Sequence, residues 1–221
     1  MVAIKRMLDL SQELYHLLPG VPQLPAPEFK LHLIGVKDGW TLETVNMTLH
    51  TGTHIDSPAH LSPYTQTIDK IPVEQLQGRA APIALYHKAA GSAIAVADLE
   101  PYADRIQPGD IVLLCTGWGQ KVAWTEEYIY QSVYLSAEGA EWLAGRGVKG
   151  VGIDHFSVGG MVESNKDAHR ALLSRGVWIA ETLVLPPEIC DGAEWHLFCL
   201  PMKVRDGSGA QARVVAVEYG G

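Results

Sequence analysis

The spacing of apolar and polar positions changes along this 221-residue chain, and beyond residue 80 it settles into a recognisable alternation. Short runs rich in β-branched and apolar residues alternate there with segments of helical spacing, the pattern of an α/β domain. Ile83–His87 predicts a strand and Ala97–Arg105 a short helix. The turn Pro108-Gly109-Asp110 leads into a strand over Ile111–Thr116. Ser136 can cap a helix that runs to about Ala144, with Gly145 and Gly147 ending it. Val148–Asp154 follows as a strand, a helix starts at Asn165 or Asp167 and reaches Ser174, and Val177–Leu185 returns as a strand after Gly176. Trp195–Val204 and Arg213–Tyr219 flank Asp206-Gly207-Ser208-Gly209, a turn signal for a hairpin. The hairpin among otherwise alternating elements predicts a mixed sheet.

Upstream the pattern is less regular. Four prolines fall between Pro19 and Pro27, which fixes an extended arm without regular structure. Such an arm must lie on something, either its own active site or a neighbouring subunit. The chain length fits a single domain over residues 1–221.

Composition narrows the classes of function. A formal net charge of -8 argues against a sequence-independent hold on nucleic acid or anionic lipid, so a small molecule is the expected partner. Cys115, Cys190 and Cys199 form no CxxC pair, and the expectation is three buried free thiols in a reducing compartment. Met1–Leu10 carries Lys5, Arg6 and Asp9 and lacks the apolar core of a signal peptide. A cytoplasmic protein without a membrane span is expected.

The chemistry concentrates in His50-Thr51-Gly52-Thr53-His54-Ile55-Asp56-Ser57-Pro58-Ala59-His60, which holds three of the nine histidines. Imidazole nitrogen and carboxylate oxygen suit zinc, manganese or iron, and two histidines with one carboxylate leave coordination positions open. His50, His54 and Asp56 are therefore the candidate metal ligands. Gly52, Pro58 and the β-branched Thr51, Thr53 and Ile55 disfavour a helix, so a strand running into a tight turn is expected. An extended chain would hold His50 and His54 roughly 13 Å apart, too far for one ion. The chain must bend if all three bind, and Gly52 is the residue that permits it. His60 is close enough in sequence to face the site, as a further ligand or as a general base.

Distant residues can complete the site. Glu181 interrupts the apolar strand Val177–Leu185, where a buried carboxylate must be protonated, paired or bound to metal. His169 lies in the first turns of the preceding helix. Asp154 ends a strand and Trp118 follows another, at the sheet edge where α/β proteins place functional groups. Both are pocket candidates, with a turn or cap role for Asp154 and a core position for Trp118 as the plain alternatives. His155 reads as structural.

The segment His-x-Gly-Thr-His-x-Asp-x-Pro-x-His resembles the signature of the cyclase-like metal-dependent hydrolases, the family of bacterial kynurenine formamidase and isatin hydrolase. Asp9-Leu10-Ser11, Thr116-Gly117-Trp118, Gly152-Ile153-Asp154, Ala168–Leu173, Glu181-Thr182-Leu183 and Leu200–Lys203 look like family landmarks in family order. The resemblance implies a swivelling β/β/α fold with a mixed central sheet, in a homodimer or homotetramer. It implies that His50, His54 and Asp56 bind one divalent metal, that Asp56 bridges to a second bound by His169 and Glu181, and that His60 is the general acid and base. Zinc is the first expectation and manganese the second, with one or two ions per subunit. One departure stands out: the family's formamidases carry a tryptophan in the Pro-rich arm, whereas Leu24 is the nearest equivalent here. The implied activity is hydrolysis of a small amide, formamide or cyclic amide by metal-activated water. The rivals are lactone hydrolysis or cyclisation at the same metal, and a metal-binding protein without turnover.

Overall fold

The computed structural model describes residues 3–61 and 63–220. Met1 and Val2, the start of the segment read above for a signal peptide, lie outside the described residues. In chain order the elements are β1 (Ile4–Asp9), β2 (Glu28–Leu33), α1 (Gly35–Asp38), β3 (Leu42–Asn46), β4 (His54–Asp56) and β5 (Gln77–Ala84). Next come β6 (Ala93–Ile94), α2 (Val96–Leu99), β7 (Ile111–Cys115), α3 (Glu126–Tyr130), β8 (Tyr134–Leu135) and α4 (Ala137–Gly145). The chain ends with β9 (Gly150–Ile153), α5 (Asn165–Leu173), β10 (Trp178–Glu181), β11 (Trp195–Pro201) and β12 (Gly209–Tyr219).

These form a single mixed α/β domain around an eight-stranded sheet in the order β1-β12-β11-β5-β7-β9-β10-β4. The sheet closes on itself because β4 also pairs with β12. Strand β12 makes this possible by its length: Gly209–Gln211 pair with β4, while Val215–Tyr219 pair with β1. Seven strands therefore make a barrel-like loop, with β1 attached outside it. β5, β7, β9 and β10 are parallel neighbours, and β7 is buried at every position, as expected for strands covered on both faces.

Two apolar clusters fill the molecule. One, including Leu113, Trp178, Leu197 and Val214, lies inside the closed sheet. The other, including Val112, Val151, Leu143 and Leu172, joins the outer face of the sheet to α4 and α5. Ser136 Oγ accepts a hydrogen bond from Gly139 N at 3.0 Å, the cap expected for α4. The expected short helix at 97–105 is α2 running into a 3-10 turn that ends at Arg105. The strand expected at 83–87 begins earlier, at Gln77, because β11 pairs with Gln77–Arg79. The hairpin of β11 and β12 forms about the expected turn, with Trp195 opposite Glu218 and Pro201 opposite Ala212.

The sequence pattern assigned nothing to residues 28–46, which form a hairpin, β2 with β3. Its large apolar side chains face outward, with Val36 103% and Trp40 75% exposed. Cys115 and Cys199 are buried, as expected, but Cys190 is only half-buried at the end of a short 3-10 turn. Among the described residues no helix is long and apolar enough to cross a membrane.

Candidate metal centre

Strand β4 is only three residues long, and it is the seam that closes the sheet, held by β10 on one side and β12 on the other. The register sets Glu181 directly opposite His54 and Ile179 opposite Asp56. Residues opposed in this way share a face of the sheet, so the pairing itself brings the Glu181 carboxylate to the His54 imidazole. His54 Nε2 lies 3.4 Å from Glu181 Oε2 and 3.2 Å from Asp56 Oδ1. α5 adds His169, whose Nε2 is 3.3 Å from Glu181 Oε1 and 3.7 Å from Asp56 Oδ2.

The bend expected at Gly52 is present. Gly52 has φ 64°, in the left-handed region, and the His50 and His54 rings lie 5.2 Å apart between centroids. His50 Nδ1 reaches Asp56 Oδ1 at 2.7 Å. The expected strand running into a turn is His54–Asp56 followed by Pro58–His60, and a second turn, at 49–53, precedes the strand. The reason is that pairing partners exist only for 54–56, so the residues before His54 are free to curl. Pro58 then starts a 3-10 turn that carries His60 back toward the cluster, with its ring 4.1 Å from that of His50.

Each ligand candidate is oriented from outside. His54 Nδ1 bonds to Gly52 O at 2.8 Å, and His169 Nδ1 to Asn165 O at 3.0 Å. Since a carbonyl only accepts, both rings carry a proton on Nδ1 and turn Nε2 inward, the nitrogen that a metal would take in place of a second proton. Val158 N donates to Glu181 Oε1 at 2.6 Å. His54 Nε2 and Asp56 Oδ2 are buried without an aligned hydrogen-bond partner. Unpartnered polar atoms of this kind cost free energy inside a protein. A divalent cation among them would satisfy both, and nitrogen with carboxylate oxygen is a donor set suited to zinc or manganese.

The electrostatics agree. Burial opposes charge on His54, yet Asp56 and Glu181 outweigh it and push the imidazole up to about 10. His169 is likewise raised, to about 9, against burial, chiefly by Glu181. Burial works against ionisation of Asp56 too, but His50 and His54 hold its carboxyl well below the usual range. Two buried carboxylates thus make a strongly cation-attracting point, where protons and a metal compete. His60 differs. It is the exposed member of the cluster, and burial of its inner edge against the other rings lowers it from the ordinary value.

Two three-residue groups have ligating atoms within 4.8 Å of one another: His54, Asp56 and Glu181, and His50, Asp56 and His60. Asp56 is common to both. The cluster opens onto a cavity of about 430 Å³, lined by His50, His60, His169 and Glu181 on one side and by Val21, Leu24, Leu61, Phe156 and Met161 on the other. The Pro-rich arm therefore lies against the site of its own chain, with Leu24 at the wall.

Two pocket candidates are corrected. Trp118 is buried in the outer core and its indole N–H donates to Tyr128 O at 3.1 Å; an indole gains more from apolar packing with its one donor satisfied than from a wet cavity. Asp154 accepts from Thr116 N, from the Thr116 hydroxyl and, at 2.7 Å, from Gly117 N. It ties two strand ends together, and burial raises it to about 6. His155 is structural, with Nε2 bonded to Tyr128 O at 3.0 Å and burial pushing it down to about 4. Val21, Leu61, Phe156 and Met161 went unread because isolated apolar residues on loops carry no periodic signal.

The model of the family described as "Putative cyclase" matches residues 8–159. A kynurenine formamidase of Erythrobacter litoralis is 28% identical over 225 residues, covering 97% of this chain and 94% of the relative. One of Bacillus cereus is 28% identical over 171 residues, 77% of each chain. Among solved structures, isatin hydrolase A of Labrenzia aggregata superposes with a TM-score of 0.83 at 22% identity, over 96% of this chain and 93% of the other, a likeness of fold. A "predicted metal-dependent hydrolase" of Bacillus stearothermophilus gives 0.77 at 28% identity, over 96% and 98%. The family model spans more than half of the sequence, and this chain, with its closed sheet and its histidine and carboxylate cluster, belongs to the cyclase family.

Proposed function

We propose that this protein is a metal-dependent hydrolase that opens the C–N bond of a small amide, formamide or cyclic amide. The observation that carries the reading is the pair of buried, unpartnered atoms His54 Nε2 and Asp56 Oδ2 facing Glu181, with His60 beside them on the cavity wall. His50, His54 and Asp56 would hold one ion, and Asp56, His169 and Glu181 a second; zinc is the first choice and manganese the alternative. A bound divalent ion polarises a carbonyl oxygen and makes water acidic enough to ionise near neutral pH.

The chain's own residues supply the rest. His60, accessible from the cavity and lowered toward the neutral form, takes a proton from the attacking water and returns it to the leaving nitrogen. Leu24, Val21 and Phe156 give the organic part of the substrate an apolar wall and keep bulk water from it. With Leu24 where the family's formamidases carry an indole, the arm offers no aromatic face for a kynurenine-like substrate to stack on.

The closed sheet is taken as the barrel of the swivelling β/β/α arrangement, in a cytoplasmic homodimer or homotetramer. The exposed apolar face of the β2–β3 hairpin supports self-association, since an isolated hairpin is marginally stable in water and this one presents Trp40 and Val36 to solvent. Sedimentation of the native chain against Trp40→Ser tests it: a monomer in both would overturn the oligomer.

The function is tested by stripping the purified protein with a chelator, reloading zinc or manganese, and assaying N-formyl aryl amines, isatin-like cyclic amides and lactones side by side. Amide or imide hydrolysis lost on stripping and restored on reloading supports the proposal. Full activity after stripping, or turnover of lactones alone, overturns it.

A further inference from the structure

His50 is oriented differently from the two buried imidazoles of the cluster, His54 and His169. His54 and His169 are pinned at Nδ1 by backbone carbonyls and turn Nε2 inward. His50 is reversed: Nδ1 faces Asp56 Oδ1 at 2.7 Å, and the outward Nε2 lies 2.9 Å from Ser208 Oγ. That hydroxyl belongs to the turn between β11 and β12, 158 residues away in sequence.

The turn is built to hold the hydroxyl in place. Ser208 O accepts from Ser57 N at 2.9 Å and from Ser57 Oγ at 2.8 Å, so the turn is tied to the residue next to Asp56. Gly209 pairs with Asp56 in the β12–β4 register. A Cβ at 209 would stand 2.6 Å from Ile55 O and 2.7 Å from His50 Cε1, so the ring rests directly on bare backbone. Ser208 and Gly209 together form a seat with one polar contact.

We propose that Ser208 is a positioning residue for the metal centre, its hydroxyl placed to accept from His50 Nε2–H when a cation beside Asp56 takes the Nδ1 lone pair. The inference rests on the proposed metal-dependent function. Without an acceptor at Nε2 the proton is free to sit on Nδ1, where the Asp56 carboxylate attracts it, and His50 then presents a donor instead of a ligand atom. Partners that orient a ligating histidine are worth about 10–100-fold in metal affinity. Ser208 touches neither water attack nor leaving group, and acts only through His50.

The test uses the full chain, with zinc ion alone as the probe, in competition with a chromophoric chelator. Ser208→Ala is expected to bind zinc about 10–100-fold more weakly, and Ser208→Thr, which keeps the hydroxyl, to stay within about 3-fold of native. Long-range 1H–15N spectra of zinc-loaded, ring-labelled protein should show the His50 Nε2–H protected from exchange with water in the native chain and exchanging rapidly in Ser208→Ala. Native zinc affinity and an equally protected His50 Nε2–H in Ser208→Ala overturn the inference while leaving the metal-dependent function standing. A native chain that binds no zinc overturns both. If Ser208→Ala unfolds, loss of affinity in a folded Ser208→Thr also overturns the inference, and native-like affinity there supports it.

Discussion

Replacing Gly52 with alanine strains the bend that brings His50 to Asp56. Gly52 sits at φ 64°, where a side chain costs about 1–2 kcal/mol in clash with the backbone. The new Cβ would meet Leu14 Cδ1 at 3.3 Å and Leu18 Cδ2 at 3.4 Å, both ends of flexible side chains that can yield by a few tenths of an ångström. The strain is therefore the larger effect, and it can be met in two ways. Either the turn keeps its shape and the fold loses about 1–2 kcal/mol, a fall in Tm of roughly 2–8 °C for a domain of this size, or the turn relaxes, His50 swings from Asp56 and zinc affinity drops. Gly91→Ala is the matched control, with φ 71° and nothing within 4 Å of its Cβ, remote from the cluster. The assay is thermal unfolding with and without zinc, and chelator competition, on all three proteins. Gly91→Ala should lose stability alone, whereas Gly52→Ala should lose stability, zinc affinity or both. A Gly52→Ala protein as stable and as tight for zinc as the native chain would refute the argument that the left-handed bend builds the site.

Three further outcomes follow from the geometry. His60→Ala should cut kcat by about 10²–10⁴-fold with zinc content unchanged by elemental analysis; a fully active variant would remove His60 from proton transfer. Glu181→Gln, which keeps shape but removes the charge opposite His54, should weaken zinc binding at least about 10-fold by chelator competition, and unchanged affinity would exclude Glu181 as a ligand. Asp154→Asn should destabilise the fold by about 1–3 kcal/mol, because the amide nitrogen turns N–H groups toward donors that the second carboxyl oxygen accepts from. Asp154 is raised from 3.8 to about 6 in the folded chain, so the native state holds its proton more tightly than the unfolded one and this contribution is lost as pH rises from about 4 through 6. The gap between native and Asp154→Asn in denaturant midpoints should therefore be wider at pH 4 than at pH 7, and a gap that widens with pH would contradict the burial argument.

Much of this site was legible from local pattern. The clustering of His50, His54, Asp56 and His60 needed no tertiary information, and the need for a bend followed from the rise of an extended chain. Glu181 stood out because a carboxylate in an apolar strand requires a partner. The caps and glycines around α4 and α5 gave those helices to within a residue or two at each end, but no local pattern marked His169, which only the family resemblance singled out. What the pattern missed depends on pairing between distant segments. Closure of the sheet rests on three residues of β4 meeting two strands more than 120 positions downstream, and no periodicity in residues 54–56 announces that. The same pairing limits the strand to three residues, with a turn on either side of it. Trp118 and Asp154 were read by their place at strand ends, but the indole and the carboxylate each found partners that draw them away from the cavity. The β2–β3 hairpin escaped because its apolar residues do not alternate against a core.

Anomalous diffraction at the zinc edge, from crystals of the full chain grown with zinc, asks whether these side chains share a cation. The predicted result is a peak at about 2.0–2.2 Å from His54 Nε2 and from an Asp56 carboxylate oxygen, with His50 Nδ1 and Glu181 turned toward the same cluster. Zinc bound elsewhere, or no peak while His50, His54 and Asp56 point apart, would contradict it.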